Sequence, residues 1–270
     1  MLGRCVAITL FSMLAATVGL AQAEPPQPKD GPLGMKFVPL PKGTFFMGWS
    51  DENSKVKKTV IKADFEIAIH LVTQGQWQDL MGQNPSFFSR AGGGKDKVKT
   101  VSDDDLKQFP VDSVSWIDAL EFSKKLNERE QGKGYLYRLP TDEEWEYACR
   151  GAATSEEECS YHFYLDKPTN DLSAKQANFD GGSPFGKGEK GLSLGRTTKV
   201  GSYPPNKLGL HDMHGNLWHW TDTPEPSSKG LRGGSWFNEG SACRAGFRAR
   251  FAPSNREDDR GLRIVRVSVR

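Results

Sequence analysis

The stretch from Gly151 to Val200 carries almost no hydrophobic period and is crowded with Gly, Ser and Lys. An irregular segment that long inside a compact domain either carries function or counts against the assignment of elements around it, and long regular helices are not expected. The rest of the chain agrees. Its 29 Gly and 16 Pro keep loops frequent, and seven Trp supply large rings to pin them. With 36% hydrophobic and 26% charged residues, the 270-residue chain is neither a membrane bundle nor a disordered polyelectrolyte. Its 36 Lys+Arg and 34 Asp+Glu are interspersed, so no broad basic face is expected and nucleic acid is not an expected partner.

Residues 1–23 read as a signal peptide: Arg4, an uncharged run from Val6 to Leu20, then the small-x-small site Ala21-Gln22-Ala23. The run is shorter than the ~20 residues of a membrane span, so no span is expected after cleavage. The expected product is an exported protein, periplasmic or secreted, with a Pro-rich leader at 24–33 and one domain over 34–270.

Along that domain, Gly34 to Trp49 alternates around Pro41-Lys42-Gly43 and reads as an irregular hairpin, and residues 59–71 repeat the strand signal. Three short helices follow from their caps. Thr73 precedes the first, Ser115 with Asp118 opens the second, and Thr141 with Glu144 forms a capping box for the third, which ends before Gly151. Residues 91–108 read as a solvated charged loop, YLYRLP as strand-like, and GLRIVRVSV as a closing strand. No repeat of 20–50 residues is present, which argues against a solenoid or propeller.

Several chemistries can be weighed from residue types. Cleavage after Ala23 leaves Cys149, Cys159 and Cys243, an odd number. Cys149 and Cys159 are ten residues apart, a span a loop can close, and are the expected disulfide pair, with Cys243 a lone thiol. His211, His214 and His219 with Asp212 are metal-binding types, but their spacing is not the i, i+4 pair of a helical zinc site. No GxSxG elbow or glycine-rich phosphate loop occurs. Arg244, Arg248, Arg250, Arg256, Arg260 and Arg263, mixed with Glu257, Asp258 and Asp259, read as an ion-pair network rather than an anion site.

Read in order, GTFFMG, FEIAIHLVTQGQW, FPVDSVSWIDALEF, YRLPTDEEWEYACRG, NKLGLHDMHGNLWHWT and LRGGSW resemble the formylglycine-generating enzyme family, the sulfatase-modifying factors, over residues 34–269. The resemblance implies a single α+β domain of the C-type-lectin-like kind with little regular secondary structure. It implies oxidation of a sulfatase Cys to formylglycine with O₂ and Cu(I) held by two thiolates, acting on an exported protein or peptide such as a sulfatase. Soft thiolate sulfur is what Cu(I) prefers.

Here the chain departs from the pattern. The two family cysteines fall on Asn238 and Cys243, so one thiolate is replaced by an amide and weakened copper binding is expected. The resemblance places Cys243 and Ser235 at the catalytic position and Trp218 and Arg244 in a substrate pocket. It implies calcium at Asn178 and at Asp212 with the carbonyls of Gly215 and Leu217, yet the accompanying acids are Leu192 and His219, so neither site is carried over. The family's disulfide partner of Cys149 aligns with Arg248, which favours the local Cys149–Cys159 pairing. Three functional readings follow: a copper oxidase using Cys243, a non-catalytic module binding a peptide, glycan or partner protein, and a new metal centre at the three histidines.

Overall fold

β-Branched and aromatic residues build the N-terminal strands, of which the one at Phe65–Ala68 is buried along its whole length. The computed structural model describes residues 26–48 and 56–269. The signal peptide expected at 1–23 lies outside the described residues. The chain enters through β1 (Lys29–Asp30) and continues through β2 (Lys36–Leu40), β3 (Gly43–Met47), β4 (Lys57–Ile61) and β5 (Phe65–Ala68). Helices α1 (Gln74–Met81), α2 (Asp103–Lys107) and α3 (Trp116–Arg129) precede β6 (Tyr135–Arg138) and α4 (Asp142–Cys149). After the short strands β7 (Phe163–Tyr164) and β8 (Pro168–Thr169) comes the long irregular segment. The chain then forms β9 (Trp218–Thr221), β10 (Lys229–Arg232), β11 (Ala249–Phe251), β12 (Arg260–Gly261) and β13 (Val265–Ser268).

Two sheets organise the domain. One has the order β1-β2-β5-β13-β6, and the other β11-β10-β9-β12. β13 lies between β5 and β6 and pairs antiparallel with both, so the expected closing strand occupies the interior of its sheet. Its Val265 is fully buried. The α+β class is as expected.

The helix caps formed as the sequence dictates. Each of Thr73, Ser115 and Thr141 accepts from the amide three residues on, and Gln76, Asp118 and Glu144 reach back to the cap amides. Such reciprocal bonds satisfy donors that a helix start leaves open. α3 buries Ala119, Phe122 and Leu126 at helical spacing, and Phe122 stacks on Trp77 of α1 with ring centroids 5.1 Å apart.

The expectations for 34–49, 59–71 and 91–108 are corrected. Gly34–Trp49 is not a hairpin: β2 pairs with β1 and β5 while β3 pairs with β4, so Pro41-Lys42 is a corner where the chain changes sheets. The strand signal of 59–71 is likewise split between β4 and β5. Part of the Pro-rich leader is structured, because β1 adds to β2 and Lys29 bonds Glu66 at 2.5 Å. Residues 91–108 are not simply a solvated loop. They hold a 3-10 turn at Lys95–Val98 and α2, and bury Val98 and Leu106 against Phe88 and Phe109. Those two apolar side chains are too sparse among the charges to show as a period.

Candidate functional site

The site is assembled where β10 ends. Gly233 and Gly234 leave the strand with φ of 95° and 72°, backbone accessible to glycine without steric cost. A Cβ on Gly234 would stand 2.6 Å from the Cys243 sulfur, so this turn packs directly on the 3-10 turn Gly240–Cys243. Ser235 follows and is fully buried. Its hydroxyl donates to the Asn238 side-chain carbonyl at 2.7 Å and lies 3.5 Å from an Asp259 carboxylate oxygen.

Cys243 packs its sulfur between the Gly234 backbone and an apolar cluster. It is fully buried among Phe163, Leu165, Leu172, Ala177 and Phe179. Its thiol makes a weak 3.9 Å contact to the Glu239 carbonyl, and burial alone pushes its pKa up to about 12. A thiol in apolar surroundings stays protonated and inert. The Asn238 amide, already holding Ser235, and a neutral buried thiol do not fit a Cu(I) centre.

At the two positions where the resemblance puts calcium, the Asp212 carboxylate is engaged by the protein while one buried Asn178 oxygen has no hydrogen-bond partner. Asp212 accepts from Gly201 N at 2.9 Å and from Asn216 Nδ2 at 3.4 Å, and burial holds its carboxyl above the usual range. Asn178 donates to the Arg196 carbonyl at 3.0 Å and to Asn216 Oδ1 at 3.2 Å, leaving its own Oδ1 without a hydrogen bond. Leu192, in place of an acid, is 86% exposed. Asn216 thus links Asp212 to Asn178 through protein hydrogen bonds.

The three histidines do not converge. The His211 ring lies 4.9 Å from that of His70, and its Nδ1 meets the Tyr203 carbonyl at 2.8 Å. His214 uses Nδ1 on the Cys243 carbonyl at 2.7 Å and Nε2 as acceptor for Tyr164 N at 2.9 Å. His219 Nδ1 accepts the Trp145 indole proton at 2.7 Å. These bonds place the donor proton of His214 on Nδ1. Among the described residues no group of three His, Cys, Asp or Glu side chains is placed to hold a metal ion.

Cys149 and Cys159 are both free and buried, which corrects the expected disulfide. The Cys149 sulfur lies 3.7 Å from His214 Nε2, while that of Cys159 turns to the Ala153 carbonyl at 3.6 Å. Chain spacing alone allowed the pair; the core directs the two thiols to different partners.

Trp218 and Arg244, the pocket residues implied by resemblance, meet through Phe247. The Trp218 and Phe247 ring centroids are 6.0 Å apart, and the Arg244 guanidinium lies 5.9 Å from Phe247 and 5.4 Å from Phe185. Trp218 is buried, so Phe247 and Arg244 present this row outward. Asp259 joins the site without having been expected there. Burial, with Asp258 and Glu257 nearby, raises its carboxyl despite Arg260 at 3.4 Å. The acidic run before Gly261 is its only signal in the sequence.

The arginine-rich end is an ion-pair network only in part: Arg248, Arg250, Arg256 and Arg260 reach carboxylates, of which only Asp259 belongs to the neighbouring acidic run, while buried Arg263 donates to the Ala68 and His211 carbonyls. Arg256 bonds Asp118 at 2.6 Å and 2.7 Å, Arg248 reaches Asp142 at 3.0 Å, and fully buried Glu146 takes Arg150 at 2.8 Å and also Arg232. This network fixes α4 beneath β10, and so sets the base of the Gly233–Asn238 turn.

No described helix is long and apolar enough to cross a membrane. The family described as Sulfatase-modifying factor enzyme 1-like domain matches residues 22–268. Over 265 residues the chain is 27% identical to Chaperone protein LppX of Paenibacillus barcinonensis, covering 80% of this chain and 85% of that protein. It is 33% identical over 168 residues to Inactive C-alpha-formylglycine-generating enzyme 2 of Bos taurus, covering 58% of this chain and only 50% of that relative. The solved structure of PvdO from Pseudomonas aeruginosa superposes with a TM-score of 0.66 at 22% identity, covering 91% of this chain and 99% of that one, a likeness of fold. With a collinear match across nearly all of its length, the chain belongs to the sulfatase-modifying factor family.

Proposed function

We propose that this protein is an exported, non-catalytic member of its family that binds an extended segment of another exported protein beside Ser235 and Asn238. The observation that carries the reading is the Cys243 thiol, sealed in an apolar cluster with its pKa pushed up to about 12 while Asn238 stands at the second sulfur position. Formylglycine chemistry needs a copper-holding thiolate pair, and these two side chains do not offer one. The row of Trp218, Phe247 and Arg244 supports binding, since a guanidinium over aromatic faces suits peptide groups at a partly apolar surface.

The test is a conversion assay. The protein is supplied with Cu(I), O₂ and a Cys-containing sulfatase-type peptide, and the peptide is followed by mass spectrometry. The expected result is an unmodified cysteine; appearance of the aldehyde product overturns the reading.

A further inference from the structure

Beyond Ser235 and Asn238 the surface turns apolar. Phe237 is 67% exposed, Leu192 86% and Leu194 41%, although they come from segments far apart in the chain. Hydrogen bonds bring these segments together. Asp180 N donates to the Asn238 carbonyl at 2.8 Å, and the Asp180 carboxylate accepts the Ser193 hydroxyl, which fixes the residue before Leu194 beside Asn238. On its other side, Lys97 Nζ donates to the Gly195 carbonyl at 2.7 Å and sits 5.7 Å from the Trp236 ring centre. Trp236 in turn contacts the Phe237 ring, with centroids 5.6 Å apart. Leu194 is therefore bracketed between Asn238 and Trp236, and Leu192, Leu194 and Phe237 belong to one rim.

Exposed apolar side chains gathered in one place, rather than scattered, mark an interaction surface. The charges around it favour one sign of partner. Lys95, Lys97 and Lys99 are exposed on one turn against the single Asp96, and Lys187 and Lys190 are exposed on the Leu192 loop, where the intervening Glu189 pairs with Lys175 at 2.6 Å. The Glu239 carboxylate, next to this rim, is occupied by the Ser241 hydroxyl. Asp258, whose backbone carbonyl accepts the Trp236 indole at 3.2 Å, lies within the field of Lys97 and offsets part of the lysine charge.

We infer that the Leu192–Leu194–Phe237 rim docks an extended partner segment in which large apolar side chains are flanked by carboxylates. This rests on the non-catalytic binding reading and gives its partner a chemistry. Apolar anchors supply affinity through burial, while the lysines select the flank and speed encounter.

The experiment uses two fluorescein-labelled peptides with the same Leu-Phe centre, flanked by three aspartates or by three lysines on each side, titrated by anisotropy into the full-length protein. The acidic peptide is expected to bind at least tenfold tighter, to weaken with added salt, and to lose at least tenfold on Leu194→Ser combined with Phe237→Ser. Both positions are exposed, so an unchanged circular dichroism melt verifies that the variant is folded. Lys97→Glu combined with Lys190→Glu should narrow the preference between the peptides. Equal binding of the two peptides, no binding of either, or affinity indifferent to the rim variant overturns the inference. Turnover of the sulfatase-type peptide overturns the non-catalytic reading instead, and the two results are read in separate assays.

Discussion

The Asn238 side-chain carbonyl accepts the Ser235 hydroxyl at 2.7 Å, while Cys243, five residues further on, is turned into the apolar cluster around Phe163 and Phe179. The position where the family resemblance puts a second sulfur therefore does a turn-closing task. Asn238→Cys is expected to raise Cu(I) affinity by less than tenfold, because the second sulfur stays in the core. An anaerobic Cu(I) titration checks this. A gain of several orders of magnitude would mean that Cys243 can swing out to share the metal.

Thiol chemistry gives a second prediction. Burial pushes the Cys149 and Cys243 thiols up to about 12, and Cys159 is raised as well. In the chain from Glu24 onward, a disulfide-exchange reagent at pH 8 should react slowly or not at all with native protein. Three equivalents should appear on denaturation. Rapid native labelling of one thiol, mapped to Cys243, would contradict its placement.

Glu146 is fully buried and bonded to Arg150 and Arg232, with Arg248 at 3.5 Å. Removing one member of such a cluster leaves uncompensated charge, so Glu146→Gln should cost roughly 3–5 kcal/mol by urea denaturation. Its neighbours hold the carboxyl below the usual glutamate range despite burial. The stability it adds is present above its unfolded value of 4.5 and is lost as pH falls through the lower folded value. A loss under 1 kcal/mol would show the network to be replaceable by water.

Acid sensitivity should begin above that range. Burial lowers His214 from 6.5 to about 4 and His70 from 6.5 to about 3, and holds His219 well below its usual value. Between those folded values and 6.5 the unfolded chain binds more protons, so stability declines as pH falls. Asp112 acts oppositely. Burial raises it from 3.8 to about 7, so acidification through that window favours the fold. Burial raises Asp212, Asp258 and Asp259 as well, and these act in the same sense as Asp112, so the histidine share is read from the slope of melting temperature against pH between 5 and 7.5. His214→Leu should flatten that slope; an unchanged slope would exclude His214 as a contributor.

Gly234 offers a backbone test. Its φ of 72°, and the mere 2.6 Å that would separate an added Cβ from the Cys243 sulfur, leave no room for a side chain. Gly234→Ala should destabilise by about 2 kcal/mol or more by denaturant titration, since left-handed strain and overpacking add. Tolerance of alanine would require the turn to relax away from Cys243.

The sequence made the helix starts legible because capping is local. Thr73, Ser115 and Thr141 each bond within three residues, so residue type and spacing suffice. Strand partnership was less legible, since it depends on distant chain. Nothing within Gly34–Trp49 states that β2 will pair with β5 while β3 turns to β4. The thiols were hidden for the same reason: His214, Ala153 and the Phe163 cluster decide where each sulfur points, and none is visible from cysteine spacing. Resemblance identified Asn238 and Cys243 as the positions to watch, but only tertiary packing shows one held by Ser235 and the other enclosed.

The interior location of β13 constrains how the molecule can be made. Val265 registers with both Ile67 and Arg138, so β6 has no link to β5 in the five-strand sheet until residues synthesised about two hundred positions after β5 arrive. Partially synthesised or partially translocated chain has no complete seam to close upon. Closure of the sheet is thereby deferred to a late, long-range event, which on the proposed export route keeps the polypeptide threadable through a secretion pore and makes C-terminal clipping sever β6 from β1, β2 and β5.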